Sequence, residues 1–317
     1  MSDDVEKTIL ALGEVLWDLL PDGPRLGGAL FNLAARVNRL GDRALMVSRL
    51  GRDTLGDEAL AAVRSLGLDT ALLQRDDVHP TGTVQVSFDD KGIPDYFIVP
   101  EVAYDYVQAE AALEEVVTQA DCFCFGTLVQ RTAGTRETLR QLLARAERCL
   151  KVLDINLRKD CYSREIVEYS LGHADLLKLN DEEVRMLDEL LAVHAGNPVA
   201  FCTAIMGRYR LEHCLVTFGE DGALAISRSG ETIYEPGYRV DVVDTLGSGD
   251  AFTAGFVHKF LHGATVRQAC RFGNALGALV ATQAGGTKPV APEAIARFEN
   301  DGAERSVLPE LERFRVD

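Results

Sequence analysis

The sequence predicts a doubly wound α/β fold: a mostly parallel sheet flanked by helices, with a small β-sheet lid. Three observations point to it. Short apolar, β-rich runs alternate with segments of helical period, the pattern of parallel strands joined by crossover helices. A glycine-rich turn at 247–249 opens a helix marked by Phe252, Phe256 and Phe260. One stretch breaks the alternation with two neighbouring strand-like runs, as an appended sheet would.

Taken in order, Glu14 to Leu20 is an amphipathic strand-like run. Ala44 to Ser48, Asp121 to Phe125, Val152 to Ile155 and Cys214 to Phe218 read as core strands. Asp57 to Leu66, Thr135 to Arg148, Asp181 to Leu191 and Ala264 to Gln283 supply helices, several opened by a capping Asp or Thr. Thr81 to Phe88 and Ile93 to Val99 flank Asp89-Asp90-Lys91-Gly92, which reads as a hairpin turn. Glu14 to Leu20 could join that hairpin over the carboxyl edge of the sheet. No polar linker divides the chain, so residues 1–317 are expected to form a single domain, with the lid built from segments near 13–21 and 81–106. Asp301 to Asp317 is charged and uninformative. Val242 and Val243 read as a strand entering the glycine turn.

Composition removes several classes. A net charge of −16 without a local basic patch leaves nucleic acid without an electrostatic footing. A nucleotide site on such a surface must rely on backbone amides, helix ends or a metal ion. The longest uncharged stretch, Leu190 to Gly207, is interrupted by His194, Asn197 and Pro198, so no membrane span is expected. The acidic start, Met1 to Lys7, does not resemble a signal peptide, and a cytoplasmic protein is expected. Seven cysteines without CxxC spacing read as buried free thiols.

The strongest chemical signal is Asp244 to Asp250. Gly247 and Gly249 let successive N–H groups converge at a helix start, where the helix dipole adds partial positive charge, and such a spot binds phosphate. It is not a Walker loop, since no Gly-Lys-Ser/Thr follows. Asp250 sits where the helix N-terminus would keep a carboxylate ionised beside a transferred phosphoryl group, placed as a base. A bare GxGD is more often a helix cap after a tight turn; its surroundings decide otherwise. With the preceding Asp-Thr and the aromatic helix, DTLGSGDAFTAGF resembles the C-terminal signature of the ribokinase-like (PfkB-type) carbohydrate kinases. Ser248 stands where that signature commonly has alanine, a change that leaves the backbone amides in place.

The resemblance extends along the chain. Arg25 to Ala34 is similar to the family's double-glycine substrate motif, in which Gly27 and Gly28 allow close approach of a ligand and Asn32 can both donate and accept toward sugar hydroxyls. The resemblance implies that Asp18 binds adjacent sugar hydroxyls, that Asn180 and Glu183 form the NxxE element with Glu183 acting on Mg²⁺ through water, and that Thr217, Gly219 and Gly222 lie near the nucleotide phosphates and ribose. It further implies Asn274 near adenine, and in parts of the family a potassium site from Asp244, the Leu246 carbonyl, Gly285 and Thr287. ATP and Mg²⁺ are the implied cofactors, K⁺ a further one, with Asp250 as base and the amides of Gly247, Ser248 and Gly249 as the anion hole.

The small-molecule sugar is less determined. Runs such as Asp154 to Ser163 and Leu177 to Glu183 resemble bacterial fructokinase-like members, making fructose the first reading. Arg158 could instead pair with the carboxylate of 2-keto-3-deoxygluconate, or lie at a surface strand end. A catalytically silent sugar-sensing relative is the alternative of another class, opposed by the presence of Asp250. An exposed lid edge offers a contact for a homodimer.

Overall fold

Side chains of a strand alternate between its two faces, so a strand buried on both sides must be apolar throughout. The first strand meets this requirement: Ile9 and Ala11 enter one core, Leu10 and Leu12 the other, all without solvent exposure. The computed structural model describes residues 5–21, 23–88, 94–300 and 303–315. Along the chain come β1 (Thr8–Leu12), β2 (Leu16–Leu20), β3 (Gly23–Gly27), α1 (Ala29–Arg39), β4 (Arg43–Gly51), α2 (Thr54–Ser65), β5 (Leu73–Asp76), β6 (Gly82–Phe88) and β7 (Pro94–Ile98). There follow α3 (Ala111–Gln119), β8 (Cys122–Phe125), α4 (Ala133–Arg145), β9 (Leu150–Asp154), α5 (Arg164–His173), β10 (Leu176–Asn180), α6 (Asp181–Leu190), α7 (Pro198–Tyr209) and β11 (His213–Thr217). The last part holds β12 (Ala223–Ser227), β13 (Thr232–Glu235), β14 (Gly237–Tyr238), α8 (Ser248–Leu261), α9 (Val266–Ala281), α10 (Pro292–Asn300) and β15 (Arg305–Ser306).

Among the described residues, nine strands form one sheet in the order β13-β12-β11-β10-β9-β8-β1-β4-β5. The pairings from β11 through to β5 are parallel, and only β11–β12 and β12–β13 are antiparallel. One apolar core packs residues of α3 to α7 against one face, and a second packs α1, α2, α8 and α9 against the other. The chain runs outward from β1 in both directions, to β4 on one side and to β8 on the other, and a crevice opens beyond the carboxyl ends of strands at such a reversal.

A separate sheet, in the order β3-β2-β6-β7, is mixed: β2 pairs parallel with β6, whereas β2–β3 and β6–β7 are antiparallel. The expected strands at 14–20, 81–88 and 93–99 are thus present in it, and the hairpin turn expected at Asp89 to Gly92 lies outside the described residues. Strand β3 was not expected, because its glycines and proline read as a turn; β2 supplies the partner that makes it a strand.

Two further expectations need correction. Val242 and Val243 form no strand: they are 55% and 65% exposed in irregular backbone, and the Val243 N–H bonds the Ala281 carbonyl at the end of α9 rather than a neighbouring strand. The C-terminal stretch is not inert either, because β15 pairs with β14, Arg305 makes a 2.6 Å ion pair with Glu235, and Leu311 is buried. All seven cysteines are buried free thiols. No helix among the described residues is long and apolar enough to cross a membrane.

Candidate active site

The site grows from three element ends. Beyond β1 the buried Glu14 turns its carboxylate onto the first turn of α1, where Oε1 accepts the Ala29 N–H at 2.7 Å. This caps the helix from a distance, since its own N-cap residue is Gly28, which has no side chain to offer. Gly28 has φ 122°, and a Cβ there would lie 2.2 Å from the Glu14 carbonyl oxygen. Gly28→Ala is therefore expected to destabilise the fold by about 3 kcal/mol or more; an unchanged urea midpoint would refute the close approach.

Helix α1 then presents Asn32 and, one turn on, Arg36. Helix α8 begins at Gly247, a left-handed N-cap with φ 78°, so that Asp250 falls in its first turn. Asn32 Nδ2 donates to Asp250 Oδ2 at 2.8 Å, joining the two helix starts. Arg36 donates through Nε and Nη2 to the Gly286 carbonyl at 3.1 and 2.6 Å, and through Nη1 to that of Lys288. Gly286 must stay bare, because a Cβ there would lie 2.8 Å from Asn32 Nδ2, and a Cβ on Gly247 would lie 2.6 Å from Gly286 Cα.

The Asp250 carboxyl is not kept strongly ionised by its helix, as the sequence suggested. Burial and the neighbouring Asp154 carboxylate push it up to about 7, against the Asn32 hydrogen bond and the charges of Lys178 and Arg158. A carboxyl balanced there is matched to proton transfer near neutral pH. Lys178 forms a buried 3.2 Å ion pair with Asp154, whose other oxygen accepts from Thr253 Oγ1 at 2.8 Å. Burial opposes the Lys178 charge, yet Asp154, Glu183 and Asp250 together hold its pKa above the usual lysine value.

Lys178, Asn180, Thr217, Gly219, Gly222, Ser248, Gly249 and Asn274 all line one groove of about 370 Å³. Gly222, at φ 92°, could not carry a Cβ, which would meet the Glu235 carbonyl at 2.2 Å. Gly249 is helical and free of that strain; its bareness leaves room for Lys178 Nζ, 3.2 Å from where its Cβ would be. Asn274 donates to the Glu235 and Pro236 carbonyls at 2.9 and 3.2 Å, fixing the groove wall. Glu183 does not line the groove: its oxygens accept the Leu157 and Asn180 N–H groups at 2.9 and 2.8 Å, the latter closing a capping box on α6. The buried oxygens Asn32 Oδ1 and Ser248 Oγ have no hydrogen-bond partner among the described residues.

The charge of Arg158 acts on Asp250 and also on Asp18, in β2. The Asp18 carboxyl is raised to about 6 by burial, against the charges of Arg158 and Arg25, and a Cβ on Gly27 would lie 2.8 Å from its Oδ2. Arg158 also acts on Glu14 and Asp250, so its charge is shared among three carboxylates. Asp244 accepts the Leu246 and Gly285 N–H groups, both at 2.9 Å, and approaches Arg25 at 3.4 Å. Leu246, Gly285 and Thr287 line the adjoining cleft.

Residues 24–294 match the family described as pfkB family carbohydrate kinase. The chain belongs to the pfkB family of carbohydrate kinases. It is a phosphotransferase acting on a sugar hydroxyl, with the ribokinase-like fold. Among curated relatives it is 29% identical over 293 residues to the 2-dehydro-3-deoxygalactonokinase of Haloferax volcanii, covering 88% of each chain. It is 28% identical over 267 residues to the fructokinase of Escherichia coli, covering 78% of this chain and 83% of that one. The fold of fructokinase with bound ATP from Xylella fastidiosa superposes with a TM-score of 0.85 at 24% identity, over 95% of this chain and 100% of the other.

Within this pfkB kinase, Glu14, Arg36, Asp154, Lys178 and Gly286 were missed in the sequence. For two of them a signal was available: Lys178 interrupts the apolar β10 and Asp154 ends the apolar β9, and a charge at a buried strand position needs a partner.

Proposed function

We propose that this kinase transfers the γ-phosphoryl group of ATP to a primary hydroxyl of fructose. The hydrogen bond between Asn32 and Asp250 carries the reading, because it joins the start of α8, whose Ser248 and Gly249 line the groove of about 370 Å³, to the start of α1 beside Gly27 and Gly28. Asp250 takes the hydroxyl proton as the sugar oxygen bonds to the γ-phosphorus and the bond to the β-phosphate oxygen breaks, releasing ADP and then a proton. The amides of Gly247, Ser248 and Gly249, aided by the helix start, face the transferring charge. Asn180, Thr217, Gly219 and Gly222 hold phosphates and ribose, and Asn274 shapes the adenine end. Magnesium, when bound, supplies charge neutralisation on the phosphate oxygens; Glu183 would reach it through water, by the lone pairs its backbone contacts leave. Potassium would sit on the oxygens of Asp244, Leu246, Gly285 and Thr287. The chain forms one domain in which the four-stranded sheet closes over the sugar, and exposed Leu19 and Phe97 on that sheet would support a homodimer. Seven free thiols suit a cytoplasmic setting.

A neutral sugar is favoured over 2-keto-3-deoxygluconate by charge. Arg158 stands among Glu14, Asp18 and Asp250, and Arg131 is occupied by a buried 2.8 Å ion pair with Asp105. The likeness to the 2-dehydro-3-deoxygalactonokinase keeps the acid sugars as the second reading. Coupled ADP release with fructose, 2-keto-3-deoxygluconate, 2-keto-3-deoxygalactonate, ribose and adenosine decides: the highest kcat/KM is expected for fructose. Preference for an acid sugar would keep the mechanism and replace the substrate, and turnover with none would leave the silent sensor.

A further inference from the structure

At the far end of α8 from Asp250, three ligating side chains meet outside the kinase site. His258 and His262 are four residues apart, so both imidazoles leave the same face of the helix end, with ring centroids 4.7 Å apart. Facing them is Asp42, from the turn between α1 and β4, whose side chain is only 1% exposed. His258 Nδ1 lies 2.6 Å from Asp42 Oδ2, and His262 Nε2 lies 2.8 Å from Oδ1. The Lys7 backbone N–H also reaches Oδ1, at 3.2 Å.

From this convergence we infer that Asp42, His258 and His262 form a structural site for one divalent transition-metal ion of the zinc class. Two imidazoles and a carboxylate are a donor set suited to zinc rather than to magnesium, which prefers oxygen. Their ligating atoms all lie within 4.8 Å of one another. A tetrahedral ion with bonds of about 2.0–2.2 Å sets its donors about 3.4 Å apart, so the short Asp42–imidazole contacts would open and the wider donor pairs draw in as the ion replaces the shared protons. The partial negative charge at the C-terminal end of a helix favours a cation there. Side-chain exposures of 16% and 15% at His258 and His262 leave access for the ion and for a completing water. His258 and His262 lie about 12 and 18 Å along α8 from Asp250, at the opposite end of the helix. The site's role is to pin the helix that carries Asp250 to the α1–β4 turn.

The test is a Co²⁺ titration of the chelator-treated full chain with Mg²⁺ and ADP filling the kinase site, followed by visible absorption, beside Zn²⁺ melting curves. One equivalent of Co²⁺ with nitrogen and oxygen ligation is expected, and Zn²⁺ should raise Tm. Both effects should vanish in His258→Gln and in His262→Gln, each checked by circular dichroism in chelator to be folded. If one variant fails to fold, the other decides. No bound cobalt, equal binding in the variants, or a thiolate charge-transfer band placing the ion on cysteine would overturn the site. The three residues would then be a hydrogen-bonded clamp.

Discussion

Asp250→Asn is expected to lower kcat by about 10²–10⁴-fold, the range lost with a general base, while sugar and ATP binding change little. Asparagine preserves the shape and can still accept from Asn32, so the loss isolates proton transfer. Because the Asp250 carboxyl is pushed up to about 7, it must lose its proton before it can act. Wild-type kcat/KM should therefore climb with rising pH and level off above 7, falling about tenfold per pH unit on the acid side. Removing the like charge with Asp154→Asn should move that limb to lower pH, and freeing Lys178 to face Asp250 adds in the same direction. A flat profile through this range, or near-normal turnover in Asp250→Asn, would remove Asp250 from the role.

Lys178→Met is expected to destabilise the protein by about 3–5 kcal/mol, because it strands the buried Asp154 carboxylate. The double variant Lys178→Met with Asp154→Leu should recover most of that stability, since an apolar pair can replace a buried ion pair. Thr253 Oγ1 still has the Gly249 carbonyl at 3.1 Å. Activity should not recover: without the ammonium beside Gly249, the KM for ATP stays raised and kcat low. Urea melts paired with ADP-release kinetics separate the two effects. Recovery of both would make Lys178 purely structural, and recovery of neither would point to misfolding.

What the sequence displayed follows from how each feature is encoded. The anion turn at 247–250 is contiguous, so glycine, helix start and carboxylate could be read together. The parallel sheet was legible because strands buried on both faces are apolar throughout, as in β1 and β8. Strand β3 escaped, since Gly23, Pro24, Gly27 and Gly28 are turn residues in isolation and only the five-residue register with β2, from Leu16 opposite Gly27 to Leu20 opposite Gly23, makes Gly23–Gly27 a strand. The same holds for Glu14 and Arg36, whose partners lie 15 and 250 residues away. The direction of the Asp250 shift was misjudged because the helix dipole is visible in sequence, whereas Asp154 is 96 positions distant and reaches it only through packing of β9 under α8.

The bond between Asn32 and Asp250 spans 218 positions of sequence. A ribosome must therefore complete most of the chain before the starts of α1 and α8 can face one another. Nascent or prematurely terminated chains that end before α8 lack Asp250 and the glycine turn, the proposed base and anion site, and on that proposal cannot squander ATP while they wait to fold.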